Sequence, residues 1–161
     1  MGAGTIIASA IVIVLLIITG YVLIGGTLST AQIVMAAQRA AADKESERIH
    51  TQIAIFKAST NTTSQQVFIE VNNTGSEVVR DFDHMEVYLL QGEVPYTYTN
   101  RSGDWTYTIN PDMVHPNLLD PDEVANITVS YDPDPLKGTP TWVKVTTANG
   151  VYDSVYITDI F

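Results

Sequence analysis

The sequence predicts an α+β chain: one long hydrophobic N-terminal helix followed by an immunoglobulin-like antiparallel β-sandwich. Three observations carry that prediction. Met1 to Gln38 contains no Asp, Glu, Lys or Arg. The stretch that follows, "STAQIVMAAQRAAADKESERIHTQIAI", has no Pro or Gly and is rich in good helix formers. Beyond His50 the apolar period shortens to two, interrupted by turn residues.

The first element is "IIASAIVIVLLIITGYVLI", Ile6 to Ile24. About 20 apolar residues at 1.5 Å rise cross a hydrocarbon core of roughly 30 Å. Its many β-branched residues would suit a strand in water. In lipid a lone strand leaves its backbone unpaired, so a helix is expected. Side chains such as Ile6, Ile11, Leu15, Leu16, Ile18 and Val22 would meet lipid or neighbouring helices. A removable signal peptide fits poorly, because no basic segment precedes the run and the run exceeds the usual 7–15 residues of such signals. The helix should continue from about Thr5 to about Thr51, on the order of 70 Å at 1.5 Å per residue. Small residues four apart, Ala36 with Ala40 and Ala37 with Ala41, would permit close helix packing, with Ala37 and Ala40 as the central pair.

Strands are expected next. "TQIAIFKAS" and "QQVFIEVNNTG" alternate and end in turn signals, and "HMEVYLL" leads to a break at "QGEVP". "YTYT" and "WTYTI" flank "NRSGD", which predicts a hairpin. "ANITVSY" follows, and "TWVKVTTANGVYDSVYITDI" folds about Asn149-Gly150, a strong hairpin signal. About seven or eight short strands at regular spacing predict the sandwich. The expected organisation is a helix over residues 1–50 and a β-domain over 51–161.

Charge narrows the function. The formal net charge is −10. Arg39 to Arg48 carries three basic and three acidic residues, so the excess lies on the β-domain. Such a domain lacks the Lys and Arg that phosphate backbones require, so no nucleic-acid partner is expected. There is no cysteine, which excludes disulfides and thiol chemistry. His50, His84 and His115 share no metal spacing, and the motifs of serine hydrolases, P-loop proteins and zinc proteases are missing. No enzyme activity, cofactor or metal is expected. Asp120, Asp122 and Glu123, and separately Asp132 and Asp134, offer oxygens to calcium, but Leu136 and Lys137 break the EF-hand series.

Two features bear on partners. Tyr96, Tyr98, Trp105 and Tyr107 form an aromatic cluster that is either cross-strand packing or a contact patch. Four Asn-x-Ser/Thr sequons, at Asn61, Asn72, Asn100 and Asn126, all lie beyond the apolar segment and favour an exported domain with N-glycosylation sites.

The plan of apolar helix, Ala/Gln-rich continuation and β-sandwich resembles archaeal type IV pilin-like proteins, and in particular the FlaF/FlaG family of archaellum accessory (stator) proteins, related to archaellins. The resemblance rests on "MGAGTIIASAIVIV", "DKESERIHTQIAI", "VFIEVNNTGSEVVRDFDHMEVYLLQG" and "WVKVTTANGVYDS". It implies a membrane protein whose β-domain stands outside the archaeal cell membrane, in the pseudo-periplasm, and anchors the archaellum to the envelope. The implied partners are the S-layer protein and a sister accessory protein or archaellin. The absence of Lys or Arg before the apolar run, and Thr5 where many pilin-type helices carry Glu, favour an accessory role. Arg39, Lys44 and Arg48 would by themselves draw the C-terminal side inward, but Asp43, Glu45 and Glu47 lie among them, and an external β-domain is preferred. The alternative is an archaellin or pilin-like subunit polymerising through its helix into an extracellular filament, and so a homo-oligomer.

Overall fold

An unbroken α-helix, α1, covers Ala3–His50 in the computed structural model, which describes residues 2–133 and 137–160. The expected helix therefore forms, with its ends two residues and one residue from those read in the sequence. The chain divides into two compact units, Met1–Lys44 and Glu45–Phe161. In the first, the side chains named for lipid or helix packing are all exposed. An 18-residue window has a mean hydropathy of 2.9, and α1 is long and apolar enough to cross a membrane. Four of its hydroxyls bond within the helix: Thr5, Ser9, Thr19 and Thr30 donate to carbonyls three or four residues earlier. That is what a polar group needs where no water is at hand.

The second unit is an open sandwich of two sheets. β1 (Ile53–Asn61), β2 (Gln66–Asn73), β5 (Trp105–Ile109), β6 (Val124–Ser130) and the short β9 (Asp159–Ile160) form one sheet in the order β5-β6-β2-β1-β9. β3 (Glu86–Gln91), β4 (Val94–Thr99), β7 (Pro140–Thr146) and β8 (Tyr152–Tyr156) form the other, in the order β4-β3-β7-β8. Neighbouring strands are antiparallel except β1 with β9. The α+β class and the sandwich are as expected. One expectation is corrected: "YTYT" and "WTYTI" are not a hairpin. They are β4 and β5, which lie in different sheets, and "NRSGD" makes a 3-10 turn that passes the chain from one sheet to the other.

Alternation builds the core. Val67, Ile69 and Val71 of β2, Val87 and Leu89 of β3, Ala125, Ile127 and Val129 of β6, and Val143 and Val145 of β7 are all buried. A bulge between Ile55 and Lys57 breaks the alternation of β1 and leaves Phe56 59% exposed. Beside it the Ile55 N–H donates to the Asp153 carboxylate of β8 at 2.7 Å, tying the two sheets together. The β7–β8 hairpin turns at Asn149-Gly150 as expected, with Gly150 at φ +82, a conformation that costs a glycine little.

The end of the helix is built into the sandwich. The His50 carbonyl accepts from the N–H groups of Ser76 (2.9 Å) and Glu77 (3.2 Å), and the Gln52 carbonyl accepts from Thr74 and Gly75, both at 2.9 Å. These bonds satisfy backbone groups that a helix end leaves unpaired. A side chain at Gly75 would meet the Gln52 nitrogen at 2.4 Å and the His50 oxygen at 2.5 Å, so only glycine fits. From another direction, Asn149 Nδ2 donates to Thr51 Oγ1 at 2.8 Å.

Candidate interaction site

The outer face of the four-stranded sheet is aromatic, and its pattern follows from register. Pro95, Leu90, Trp142 and Tyr156 stand opposite one another in a single row across β4, β3, β7 and β8. The next row is Thr97, Tyr88, Lys144 and Ser154, and the third is Thr99, Glu86, Thr146 and Tyr152. Tyr152 and Tyr156 are 61% and 71% exposed. Tyr88, Leu90, Pro95, Trp142, Lys144 and Tyr156 line an open groove of about 390 Å³.

The charged groups of this face are engaged within it. The Lys144 ammonium lies 4.0 Å from the ring centre of Tyr152 and 5.5 Å from that of Tyr88, a geometry in which cation and ring attract. The Tyr88 hydroxyl donates to Glu86, and this bond to a carboxylate holds the phenol pKa above its ordinary value. A nearly neutral aromatic surface remains on a domain carrying the chain's acidic excess. A half-buried Trp142 and exposed Tyr152 and Tyr156 around a shallow apolar groove are of the residue types that dominate protein-contact energetics.

The aromatic residues singled out in the sequence sit elsewhere. Trp105 is 1% exposed and belongs to the core, so it cannot meet a partner. Tyr107 stacks on Phe82, with ring centres 4.1 Å apart and planes 9° apart. Tyr98 packs against the core, and its hydroxyl donates to Gln91 Oε1 at 3.0 Å. Burial of these two rings raises both phenol pKa values. Tyr96 is half-buried, with the Lys137 ammonium 4.9 Å from its ring centre. The cluster is thus mainly packing. The face on β3, β7 and β8 was missed, although a signal existed. Val143 and Val145 set the core phase of "TWVKVT", so Trp142 and Lys144 must point the other way.

The acidic loop before β6 has an internal role. Glu123 accepts from the N–H groups of Met113 (2.9 Å) and Asp120 (3.1 Å). Asp120 accepts from the His115 N–H at 2.9 Å and from His115 Nδ1 at 2.8 Å. The His115 side-chain bond lowers the Asp120 pKa. Among the described residues, no group of three or more His, Asp or Glu gathers as a metal would require. Asp134 and Leu136 of the second acidic segment lie outside the described residues.

An apolar helix long enough to cross a membrane, followed by a two-sheet β-sandwich, is the plan of an α+β protein built from a helical stalk and a β-domain. More particularly, the chain belongs to the archaeal-type flagellin family, whose family model matches residues 2–157. An uncharacterised protein of Archaeoglobus fulgidus is 23% identical over 158 residues, 96% of this chain and 94% of that one. Among solved structures, the archaellum periplasmic stator protein FlaG of Sulfolobus acidocaldarius superposes with a TM-score of 0.51 at 24% identity, covering 66% of this chain and 99% of that one. The FlaF–FlaG periplasmic stator complex of the same organism also gives 0.51, at 23% identity, over 66% of this chain and 89% of the matched chain. The FlaF/FlaG likeness expected from the sequence holds in the fold.

Proposed function

We propose that this chain is a structural component of the archaeal motility machinery, held in the cell membrane by α1 with its β-sandwich outside. There it anchors the archaellum to the envelope. The apolar row Pro95–Leu90–Trp142–Tyr156 carries the proposal, because folding alone does not require an outer sheet face to be apolar. We assign that face to a protein contact with a sister accessory protein, with the S-layer protein as the further envelope attachment. Support comes from the family match and from the fold shared with stator proteins, one of which was solved in a complex with its sister. No catalytic role is proposed.

The test is a double substitution, Trp142→Ala with Tyr156→Ala, in the full chain expressed in an archaeal host. Chemical crosslinking in intact membranes, read by mass spectrometry, should lose the link to archaellum or envelope proteins while the β-domain keeps its folded spectrum. Unchanged crosslinks would remove the assignment of this face.

A second proposal, a filament subunit, is favoured by one feature. Ala36, Ala37, Ala40 and Ala41 are exposed along α1 and would let copies pack closely. Electron microscopy of full-length protein after gentle detergent removal separates the two: regular filaments favour the subunit, and discrete particles that return to lipid favour the anchor.

A further inference from the structure

The four sequons are not equivalent once folded. Asn72 and Asn126 lie inside β2 and β6, strands hydrogen-bonded to neighbours on both sides. The Asn72 side-chain oxygen is closed off from solvent. Asn100 begins a 3-10 turn in which the hydroxyl of its sequon partner, Ser102, lies within hydrogen-bond reach of both the Asp104 carboxylate and the Thr99 carbonyl, with one proton to donate between them. A transferase acting on the folded domain would have to open a ladder in the first two cases and free a bonded hydroxyl in the third.

Asn61 is different. It ends β1 at the β1–β2 hairpin, and residues 62–65 are all exposed. Its Oδ1 accepts from the N–H groups of Thr63 and Ser64, both at 2.9 Å. These two bonds engage Oδ1 and leave Nδ2 out of the turn's hydrogen bonding, on an asparagine that is itself half-buried beside four exposed residues. Among the described residues, the Thr63 hydroxyl makes no hydrogen bond. Both donors on Oδ1 also favour the negative charge that gathers there as Nδ2 gives up a proton.

We propose that Asn61 is the glycan acceptor of this chain and the one sequon modified on the folded domain. The donor would be an oligosaccharide joined through its anomeric carbon to a lipid phosphate. Nδ2 attacks that carbon, the carbon–oxygen bond to phosphate breaks, and the N-glycosidic bond forms. The lipid phosphate leaves with the bonding electron pair, and the displaced Nδ2 proton passes to a base of the transferase. The proposal rests on the external placement of the β-domain.

The experiment is glycopeptide mass spectrometry on the full chain purified from an archaeal host, paired with protease shaving of whole cells. The expected result is sugar on the Asn61 peptide and bare Asn72, Asn100 and Asn126. Asn61→Gln and Thr63→Ala should each reduce the intact mass by one glycan, and Thr63→Ser should retain it. A bare Asn61 on a chain that the protease reaches overturns the glycan assignment alone. Sugar on Asn72 or Asn126 also overturns it, because modification would then precede folding. A chain that the protease cannot reach overturns both the assignment and the external placement.

Discussion

The two outer faces of the sandwich differ sharply. On the five-stranded sheet the outward positions of β2, β5 and β6 are mostly polar, Gln66, Glu70, Asn72, Thr106, Thr108, Asn126 and Thr128, with Phe68 and Val124 as apolar exceptions. On the four-stranded sheet they include Tyr88, Leu90, Trp142, Tyr152 and Tyr156. Both sheets have apolar inner faces, as folding demands, and the four-stranded outer face adds an apolar row, Pro95, Leu90, Trp142 and Tyr156, beside two mixed rows. A polar outer face is the ordinary solution for a sheet solvated on one side. The contrast is what the proposed contact face would produce.

The comparison can be broken first at the inside–outside boundary. Leu89 and Leu90 are adjacent, but Leu89 is buried in the core and Leu90 faces outward. Leu89→Ala should cost about 2–5 kcal/mol by chemical denaturation. Leu90→Ala should cost about 1 kcal/mol or less. Equal costs would mean that the outer face is structural.

Next in size, the Trp142→Ala and Tyr156→Ala pair should weaken binding of the purified sister protein by at least about thirtyfold, the loss of about 2 kcal/mol typical of a contact hot spot. Titration calorimetry would read the change, and Thr106→Ala with Thr128→Ala on the opposite face should leave affinity unaltered. If both pairs weakened binding alike, the faces would not differ in function.

A third prediction concerns the joint with the helix, which neither outer face supplies. Gly75→Val should destabilise the β-domain by about 1–3 kcal/mol, because its branched carbon meets fixed backbone rather than a movable side chain. Thermal melting of the wild type and variant would show it, and an unchanged Tm would contradict the close approach.

The smallest expected effect is acid sensitivity on the five-stranded side. The folded Asp120 pKa is lowered from 3.8, chiefly by the His115 side-chain hydrogen bond. Its contribution to stability is therefore fully present above the unfolded value and is lost as pH falls through the still lower folded value. Amide exchange at His115, whose N–H the Asp120 carboxylate accepts, should quicken below about pH 4, with Asp120 ionisation as the switch. Asp120→Asn should flatten that dependence. No difference between the two profiles would sink the assignment.

Much of the fold was legible because its signals are local. The helix followed from an uncharged run with no breakers through its second half, and the β7–β8 hairpin from Asn149-Gly150. The misread hairpin at "NRSGD" shows where local signals stop. A turn sequence says that the chain bends, but not whether the next strand pairs beside the last or crosses to the other sheet. The aromatic face was missed for a related reason. Residue type drew attention to Trp105, whereas the face depends on phase, and Trp142 is out of phase with the valines around it. The Asn61 turn was likewise invisible in a sequon pattern that four asparagines satisfy equally.

The closure of the helix end by residues 74–77 has a mechanical consequence. A tether joined to a domain by one covalent strand swivels, and a pull on it peels the first strand away. Here the His50 and Gln52 carbonyls are each held by two N–H groups of another segment, and Thr51 is held by Asn149. Load arriving through the last helical turn is therefore shared among several parallel attachments across both sheets. The last turn and the sandwich should yield to force together, as one rupture event rather than a progressive unzipping.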